Sequence, residues 1–269
     1  MPRVFLAWPL ALAFVLSGCK HVPTEKERQS SDIHYNLGVQ AQKAGNIQEA
    51  LSEFQRAVEL DPDNPDARNA LGILLHLSFK RPAEAIGHYQ KALEVRPDFS
   101  EARTNLANVH LDQGQYDLAI KLYEQVLNDM LYPTPFIAQG NMGWAYYKKG
   151  DTERALENIQ AAVTLNPNFC LGFKNLGLIL EQTDNTEQAC QNFARYREQC
   201  PDVADAYMRE GVCLAKQGQV EAARERLGTC ETKAAQPALK DECRRLREHL
   251  EARKARGPRR QRWRRHRRR

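Results

Sequence analysis

The clearest alternation of apolar and polar positions lies between Asn141 and Pro167, in the stretch NMGWAYYKKGDTERALENIQAAVTLNP. Apolar and small residues recur at helical spacing on both sides of Lys149-Gly150-Asp151, which has the composition of a turn. The pattern therefore predicts two short helices joined by that turn, with Pro167 closing the unit.

This two-helix unit recurs along the chain. A small residue marks the same place in six units, at Gly38, Gly72, Ala107, Gly143, Gly177 and Gly211. The intervals between these positions are 34, 35, 36, 34 and 34 residues. A period near 34 residues, with two helices in each unit, resembles the tetratricopeptide repeat (TPR) family.

The resemblance implies an all-α solenoid of about six helix-turn-helix repeats over residues 31–237, followed by a capping helix over residues 238–255. It also implies a right-handed superhelix whose concave surface is lined by the first helix of each repeat. Ser31 and Asp32 are expected to cap the first helix of the solenoid. The sixth repeat is degenerate, because Glu210 stands where the family has leucine.

Charge is divided unevenly between the body of the chain and its C-terminus. Residues 253–269 contain ten Arg, one Lys and no acidic residue, and removing them takes the formal net charge from +5 to −6. Residues 256–269 are expected to be disordered. Their expected partners are anionic lipid head groups, lipopolysaccharide or an acidic protein rather than nucleic acid, and a dispensable tail is the alternative.

The N-terminus has the pattern of an export signal. Arg3 precedes an apolar run over residues 4–16, and Leu16-Ser17-Gly18-Cys19 resembles the lipobox of bacterial lipoproteins. The resemblance implies that residues 1–18 are a signal peptide, that Cys19 is lipidated and that residues 19–30 are a tether. Lys20 follows in place of the aspartate that retains many lipoproteins in the inner membrane, so a periplasm-facing outer-membrane location is expected. An ordinary signal peptide with a chance cysteine is the alternative.

The remaining six cysteines all lie in the C-terminal half, and an even number in an exported chain favours disulfides. Residues equidistant from the turn of an antiparallel hairpin face each other, which predicts the pairs Cys170–Cys200, Cys190–Cys213 and Cys230–Cys243. Buried free thiols are the alternative. A zinc site is disfavoured, because the chain has no CxxC motif and no histidine at ligand spacing.

Binding residues are predicted on the concave face, at positions 2, 5, 9, 12 and 13 of each first helix. These groove residues are Tyr35, Val39, Asn69, Ile73, Asn108, Leu111, Trp144, Tyr147, Leu178, Met208 and Val212. Trp144 and Tyr147 are the best anchor candidates, because aromatic residues dominate binding hot spots. Packing within the solenoid is the alternative for any one of them.

An asparagine recurs just before the small residue of several repeats, at Asn36, Asn105, Asn141 and Asn175. These asparagines resemble those with which peptide-binding TPR proteins clamp the main chain of a ligand. A merely tolerated asparagine on the helix surface is the alternative.

No catalytic motif is present: the chain lacks GxSxG, GxxxxGK[ST], HExxH and any Gly-rich phosphate loop. The sequence therefore predicts a binding protein that is not an enzyme and that needs no cofactor or metal.

A lipobox followed by a short tether and about six TPRs resembles the type IV pilus biogenesis lipoproteins of the PilF/PilW family. The junction from Leu131 to Ala138 and the following stretch from Asn141 to Tyr146 also resemble that family, and its myxobacterial gliding-motility members most closely. The resemblance implies a pilotin that helps the PilQ secretin assemble in the outer membrane. Alternatives are a TPR scaffold lipoprotein of another cell-envelope complex and a chaperone-like carrier of unfolded outer-membrane proteins.

Overall fold

The computed structural model of the protein describes residues 22–256, and its side chains through Ala252. The predicted signal peptide, Cys19 and the tail from residue 257 lie outside this range. Within it, the chain forms thirteen helices: α1 Glu25–Lys43, α2 Ile47–Leu60, α3 Pro65–Leu77, α4 Pro82–Val95, α5 Ser100–Asp112, α6 Tyr116–Leu127, α7 Pro135–Lys149, α8 Thr152–Leu165, α9 Cys170–Gln182, α10 Thr186–Gln199, α11 Ala204–Lys216, α12 Val220–Lys233 and α13 Pro237–Arg256.

Consecutive helices pack as hairpins, from α1 with α2 to α11 with α12, and α13 covers the end of the stack. The all-α repeat solenoid with a final helix is therefore confirmed. First helices also contact the first helices of neighbouring repeats, as α3 does with α1 and α5. Odd-numbered helices consequently line the inner face, and even-numbered helices form the outer face.

Small residues set the distance between the two helices of a repeat. Ala155 on α8 is fully buried, and a Cβ on Gly143 would lie 2.6 Å from Cγ1 of Ile159 and 2.9 Å from the Ala155 carbonyl oxygen. The helix axes can approach this closely only where a side chain is missing. Large side chains such as Phe54 and Tyr89 fill the neighbouring space and are almost fully buried.

The first helix begins at Glu25 rather than at Ser31, which shortens the expected tether. Thr24 caps it in a capping box: the Glu27 backbone N–H donates to Thr24 Oγ1 at 3.3 Å, and the Thr24 backbone N–H donates to Glu27 Oε2 at 2.7 Å. Ser31 is buried inside α1 and donates to the carbonyl oxygen of Ala57 at 2.9 Å. The expectation that Ser31 and Asp32 cap this helix is therefore wrong.

The unusual Glu210 of the sixth repeat is buried and doubly paired. Its carboxylate accepts from Nε of Arg197 on α10 at 2.8 Å and from Nε of Arg226 on α12 at 2.8 Å. A buried carboxylate needs such partners, because an unpaired charge is costly in the interior. At this position, where the family has leucine, the sixth repeat thus has an ionic bridge that connects α10, α11 and α12 in place of an apolar contact.

Candidate functional site

The predicted groove residues all lie on first helices, and most of them are half-buried on the inner face. Tyr35, Val39, Ile73, Leu111, Trp144, Tyr147 and Leu178 pack against the core with part of their surface. Met208 is only 7% exposed and belongs to the core around α13. Met208 is therefore a packing residue. For this position, the structure favours the alternative of packing within the solenoid over a place in the groove.

Asparagine side chains connect neighbouring first helices across the inner face. Asn105 Nδ2 donates to Oδ1 of Asn69 at 3.0 Å, and Asn141 Nδ2 donates to Oδ1 of Asn108 at 2.9 Å. Asn108 Oδ1 also accepts from the Tyr123 hydroxyl at 2.5 Å. These amides join the first helices of successive repeats, and the contacts use Nδ2 of Asn105 and Asn141 rather than Oδ1.

The other two predicted clamp positions differ from this arrangement. Asn36 is exposed at the start of the inner face, where no earlier repeat precedes it in the described chain. Asn175 is only 6% exposed. Asn175 is therefore buried within the solenoid and does not present a clamp to a ligand.

Burial widens the pH range over which the tyrosine of this network stays protonated. The Tyr123 side chain is fully buried, and burial is the main cause that raises the pKa of its hydroxyl. A tyrosine hydroxyl is protonated at physiological pH in any case, and the raised pKa keeps this one a hydrogen-bond donor to Asn108 at higher pH as well. Tyr123 on α6 thus contacts α5 of its own repeat, and the shared acceptor Asn108 connects it to Asn141 of the next repeat.

An aromatic cluster occupies the centre of the inner face on α7. The rings of Trp144 and Tyr147 lie with centroids 5.0 Å apart, and Lys148 Nζ is 4.9 Å from the Trp144 centroid. The Tyr147 hydroxyl donates to Gln182 on α9. The cluster thus combines apolar surface with a cation, a composition suited to an apolar segment that also carries a carboxylate.

Each predicted cysteine pair is bonded in the structure. Cys170–Cys200 joins α9 to the end of α10, Cys190–Cys213 joins α10 to α11, and Cys230–Cys243 joins α12 to α13. The Cα atoms of the pairs are 6.0, 5.4 and 6.1 Å apart. Three disulfides are typical of a protein outside the cytoplasm, where thiols oxidise.

Two negative findings concern the described residues. Between residues 22 and 256, no helix combines the length and apolar character needed to cross a bilayer. Over the same range, no group of three or more His, Cys, Asp or Glu side chains is arranged to hold a metal ion.

Sequence profiles of the tetratricopeptide repeat match residues 35–94, 76–131, 136–169 and 174–228, which together are more than half of the chain. The chain is 26% identical over 164 residues to the type IV pilus assembly protein PilF of Pseudomonas aeruginosa, covering 58% of this chain and 65% of PilF. It is also 29% identical over 200 residues to the CTR9 homolog of Arabidopsis thaliana, covering 72% of this chain. The chain spans 18% of the length of the plant protein and 65% of the length of PilF, which is less than two-thirds of each relative.

Two solved structures share the fold over most of their length. Pseudomonas aeruginosa PilF superposes with a TM-score of 0.67 at 18% identity, over 82% of this chain and 100% of that structure. PilW, a widely conserved type IV pilus biogenesis factor, gives 0.70 at 21% identity, over 80% of this chain and 98% of that structure. Tetratricopeptide repeats form a non-enzymatic scaffold that binds other proteins. The chain belongs to the tetratricopeptide repeat family.

Proposed function

We propose that the protein is a pilotin: an outer-membrane lipoprotein that promotes assembly of the type IV pilus secretin, PilQ. The observation that carries the proposal is the sequence likeness to PilF, a type IV pilus assembly protein, over 164 residues. The shared repeat fold and the lipobox ending at Cys19 support it. The stretch from Leu131 to Ala138 resembles the myxobacterial member Tgl, and the proposed role therefore includes pilus-dependent gliding motility.

The proposed mechanism is local concentration without covalent chemistry. Acyl chains on Cys19 would hold the solenoid at the inner leaflet of the outer membrane, and each buried CH₂ contributes about 0.8 kcal/mol to such an anchor. α1 begins at Glu25, so few residues separate the lipid from the first repeat. A secretin segment bound in the groove is thereby kept beside the membrane in which it must assemble. The basic tail would add a second attachment to anionic lipid.

Two features of the inner face support a peptide site in the proposed groove. The rings of Trp144 and Tyr147 provide apolar area, while Lys148 offers a cation beside them. Asn105 and Asn141 lie on the first helices α5 and α7, and their Oδ1 atoms, which the inter-repeat contacts do not use, would accept from main-chain N–H groups of the segment. The bound secretin segment is therefore expected to be apolar with at least one acidic residue.

The test is a double variant in the pilus-forming organism. Trp144→Ala with Tyr147→Ala should abolish the heat-resistant secretin multimer while the helical circular dichroism signal persists, because both rings are only half-buried. The matched control removes exposed apolar side chains from α6 and α8, as Leu118→Ala with Leu165→Ala, and should leave multimers intact. Normal multimer levels in the aromatic variant would count against this groove.

The scaffold alternative makes a different prediction. If the protein organises another cell-envelope complex, deleting its gene leaves secretin multimers unchanged and disturbs cell shape or wall composition instead. Both phenotypes are scored in the same deletion strain.

A further inference from the structure

Two parts of the solenoid project from the edge at which each repeat joins the next. The connection from α6 to α7, residues 128–134, has seven residues, whereas four other connections at this edge have four. α1 begins at the same edge and has 19 residues, whereas the first helices of the other repeats have 13 to 15. Ser31 is 34 residues before Pro65, where α3 begins, so the additional turns of α1 precede the repeat and extend beyond this edge.

Both projections end in apolar side chains. Met130 and Leu131 in the α6–α7 loop are 96% and 91% exposed, and Val22, which precedes α1, is 73% exposed. No other large apolar side chain in the described chain is as exposed as these three. Single apolar side chains scattered over a surface need no explanation, but here the three most exposed ones lie at one edge. Their concentration indicates that another apolar surface covers this edge.

The α6–α7 loop holds Met130 and Leu131 in a defined position. The Asp129 carboxylate accepts from Ser100 Oγ at 2.6 Å and from the Leu131 backbone N–H at 3.0 Å. Tyr132 follows directly, and its side chain is buried while its backbone N–H donates to the Asp129 carbonyl oxygen at 3.2 Å. The base of the loop is therefore packed and hydrogen bonded, and its two apolar side chains extend away from the solenoid.

Polar contacts connect this loop to α1 along the same edge. Ser100, which holds the loop, is the first residue of α5. Arg96, just before α5, donates to Asp66 of α3 at 2.6 Å. Asn64, just before α3, donates to Asp32 of α1 at 3.1 Å. The loop and the start of α1 therefore belong to one connected edge of the solenoid.

The path of the chain indicates which surface covers this edge. Val22 is three residues from Cys19, and three residues span at most about 11 Å. Acyl chains on Cys19 would hold the start of α1 within that distance of the bilayer. The edge that carries Met130 and Leu131 is therefore the edge that a lipid anchor brings to the membrane.

We infer that the α6–α7 loop inserts Met130 and Leu131 into the lipid bilayer to which Cys19 is anchored. The inference rests on the lipid anchor of the proposed function. Two contacts with the membrane, one at each projection, would then orient the solenoid where a tether alone would leave it free to rotate. Trp144 is nine residues beyond Pro135, the first residue of α7, which is about 14 Å along the helix axis. A segment bound at Trp144 would then be held within about that distance of the bilayer edge.

The test uses the chain from Cys19 to Arg269 with its three disulfides formed. Cys19 is the seventh cysteine and lies outside those disulfides, so a single acyl chain of myristoyl length can be attached chemically to its thiol. One such chain gives only marginal, reversible binding to a bilayer. Any further contact from the protein therefore raises the partition coefficient into phosphatidylcholine vesicles, which is measured by flotation.

Met130→Ser with Leu131→Ser should lower this partition coefficient by about ten-fold or more, which is the scale of one large apolar side chain leaving an apolar phase. Both side chains are almost fully exposed, so the circular dichroism spectrum should not change. The matched control is Leu77→Ser with Leu118→Ser, which changes exposed apolar side chains beside the turns within repeats, at the opposite edge. This control should leave the partition coefficient unchanged.

Tryptophan fluorescence supplies a second readout on the same vesicles. Brominated acyl chains should quench Leu131→Trp more strongly than Leu118→Trp, because only the first ring enters the bilayer. Trp144 and Trp263 are common to both variants and contribute the same background.

Three results would overturn the inference: equal partition of the wild type and the Met130→Ser, Leu131→Ser variant, an equal loss in the control variant, and equal quenching of the two tryptophan variants. Unchanged partition together with loss of secretin multimers in a strain carrying Met130→Ser and Leu131→Ser would place a protein on the loop instead of lipid. The acyl chain is attached chemically and no secretin is present, so the partition result is independent of the pilotin assignment. Trp144→Ala with Tyr147→Ala should partition like the wild type, which separates a failure of the groove from a failure of the loop.

Discussion

Gly143→Ala tests whether missing side chains set the spacing of the helices. A Cβ at Gly143 would lie 2.6 Å from Ile159 Cγ1, 2.9 Å from the Ala155 carbonyl oxygen and 3.0 Å from the Ile159 backbone nitrogen. The isoleucine side chain can turn away, but the two backbone atoms belong to α8 and move only with the helix. We therefore expect Gly143→Ala to push α7 and α8 apart and to destabilise the fold.

Gly87→Ala provides the matched control. Gly87 lies within α4, and a Cβ there would have no neighbour within 4 Å. Alanine is favoured over glycine inside a helix by about 1 kcal/mol at both positions. Overpacking typically costs about 1–3 kcal/mol. Because the propensity gain is common to both variants, the difference in unfolding free energy between them measures the steric cost, expected at about 1–3 kcal/mol.

Urea unfolding followed by circular dichroism measures this difference in the oxidised protein. With a slope of about 1–3 kcal/mol per molar urea, the Gly143→Ala midpoint should fall below that of Gly87→Ala by roughly 1 M. Gly87→Ala should be at least as stable as the wild type. Equal midpoints for the two variants would refute the account of helix spacing.

Three further perturbations concern the C-terminal repeats. Glu210→Ala should lower the unfolding free energy by about 2 kcal/mol in the same urea assay, because it removes the buried carboxylate that accepts from Arg197 and Arg226, and an unchanged midpoint would contradict this. Replacing Cys190 and Cys213 by serine should cost about 3 kcal/mol, since their bond closes a loop of 23 residues; unchanged stability would contradict this. Burial raises the pKa of Tyr196 to about 12, above the usual value near 10, so its stabilising contribution is complete below pH 10 and is lost as pH rises towards 12. Tyr196→Phe should therefore flatten the fall in urea midpoint over that interval, and a fall as steep as in the wild type would count against this assignment.

The helical repeat architecture could be predicted because it depends on local pattern. A small residue every 34–36 residues and a turn within each unit determine which helices pair. The bonded cysteine pairs follow from the same geometry, since residues equidistant from a hairpin turn face each other. Cys190–Cys213, for example, flanks the turn between the fifth and sixth repeats.

Features that depend on the superhelical twist were not predictable. The hydrogen bonds from Asn105 to Asn69 and from Asn141 to Asn108 require particular offsets between first helices that no repeat contains by itself. The buried state of Met208 follows from its contact with the cap, which lies beyond the repeat pattern.

One local signal could have been found in the sequence. Thr24 and Glu27 have the spacing of a capping box, and they mark the true start of α1. The polar composition of residues 20–30 favoured a tether instead. A capping pattern is therefore the more useful indicator in a polar segment that precedes a first repeat.

Secretin assembly in a strain that lacks this protein decides whether the protein is a pilotin. Outer-membrane fractions are run without heating and are blotted for the heat-resistant secretin multimer. If the protein is a pilotin, the deletion strain contains secretin monomer alone, and the multimer is restored by a wild-type copy and not by the Trp144→Ala, Tyr147→Ala variant. Multimers at normal levels in the deletion strain would contradict the pilotin proposal, while the tetratricopeptide repeat fold would stand.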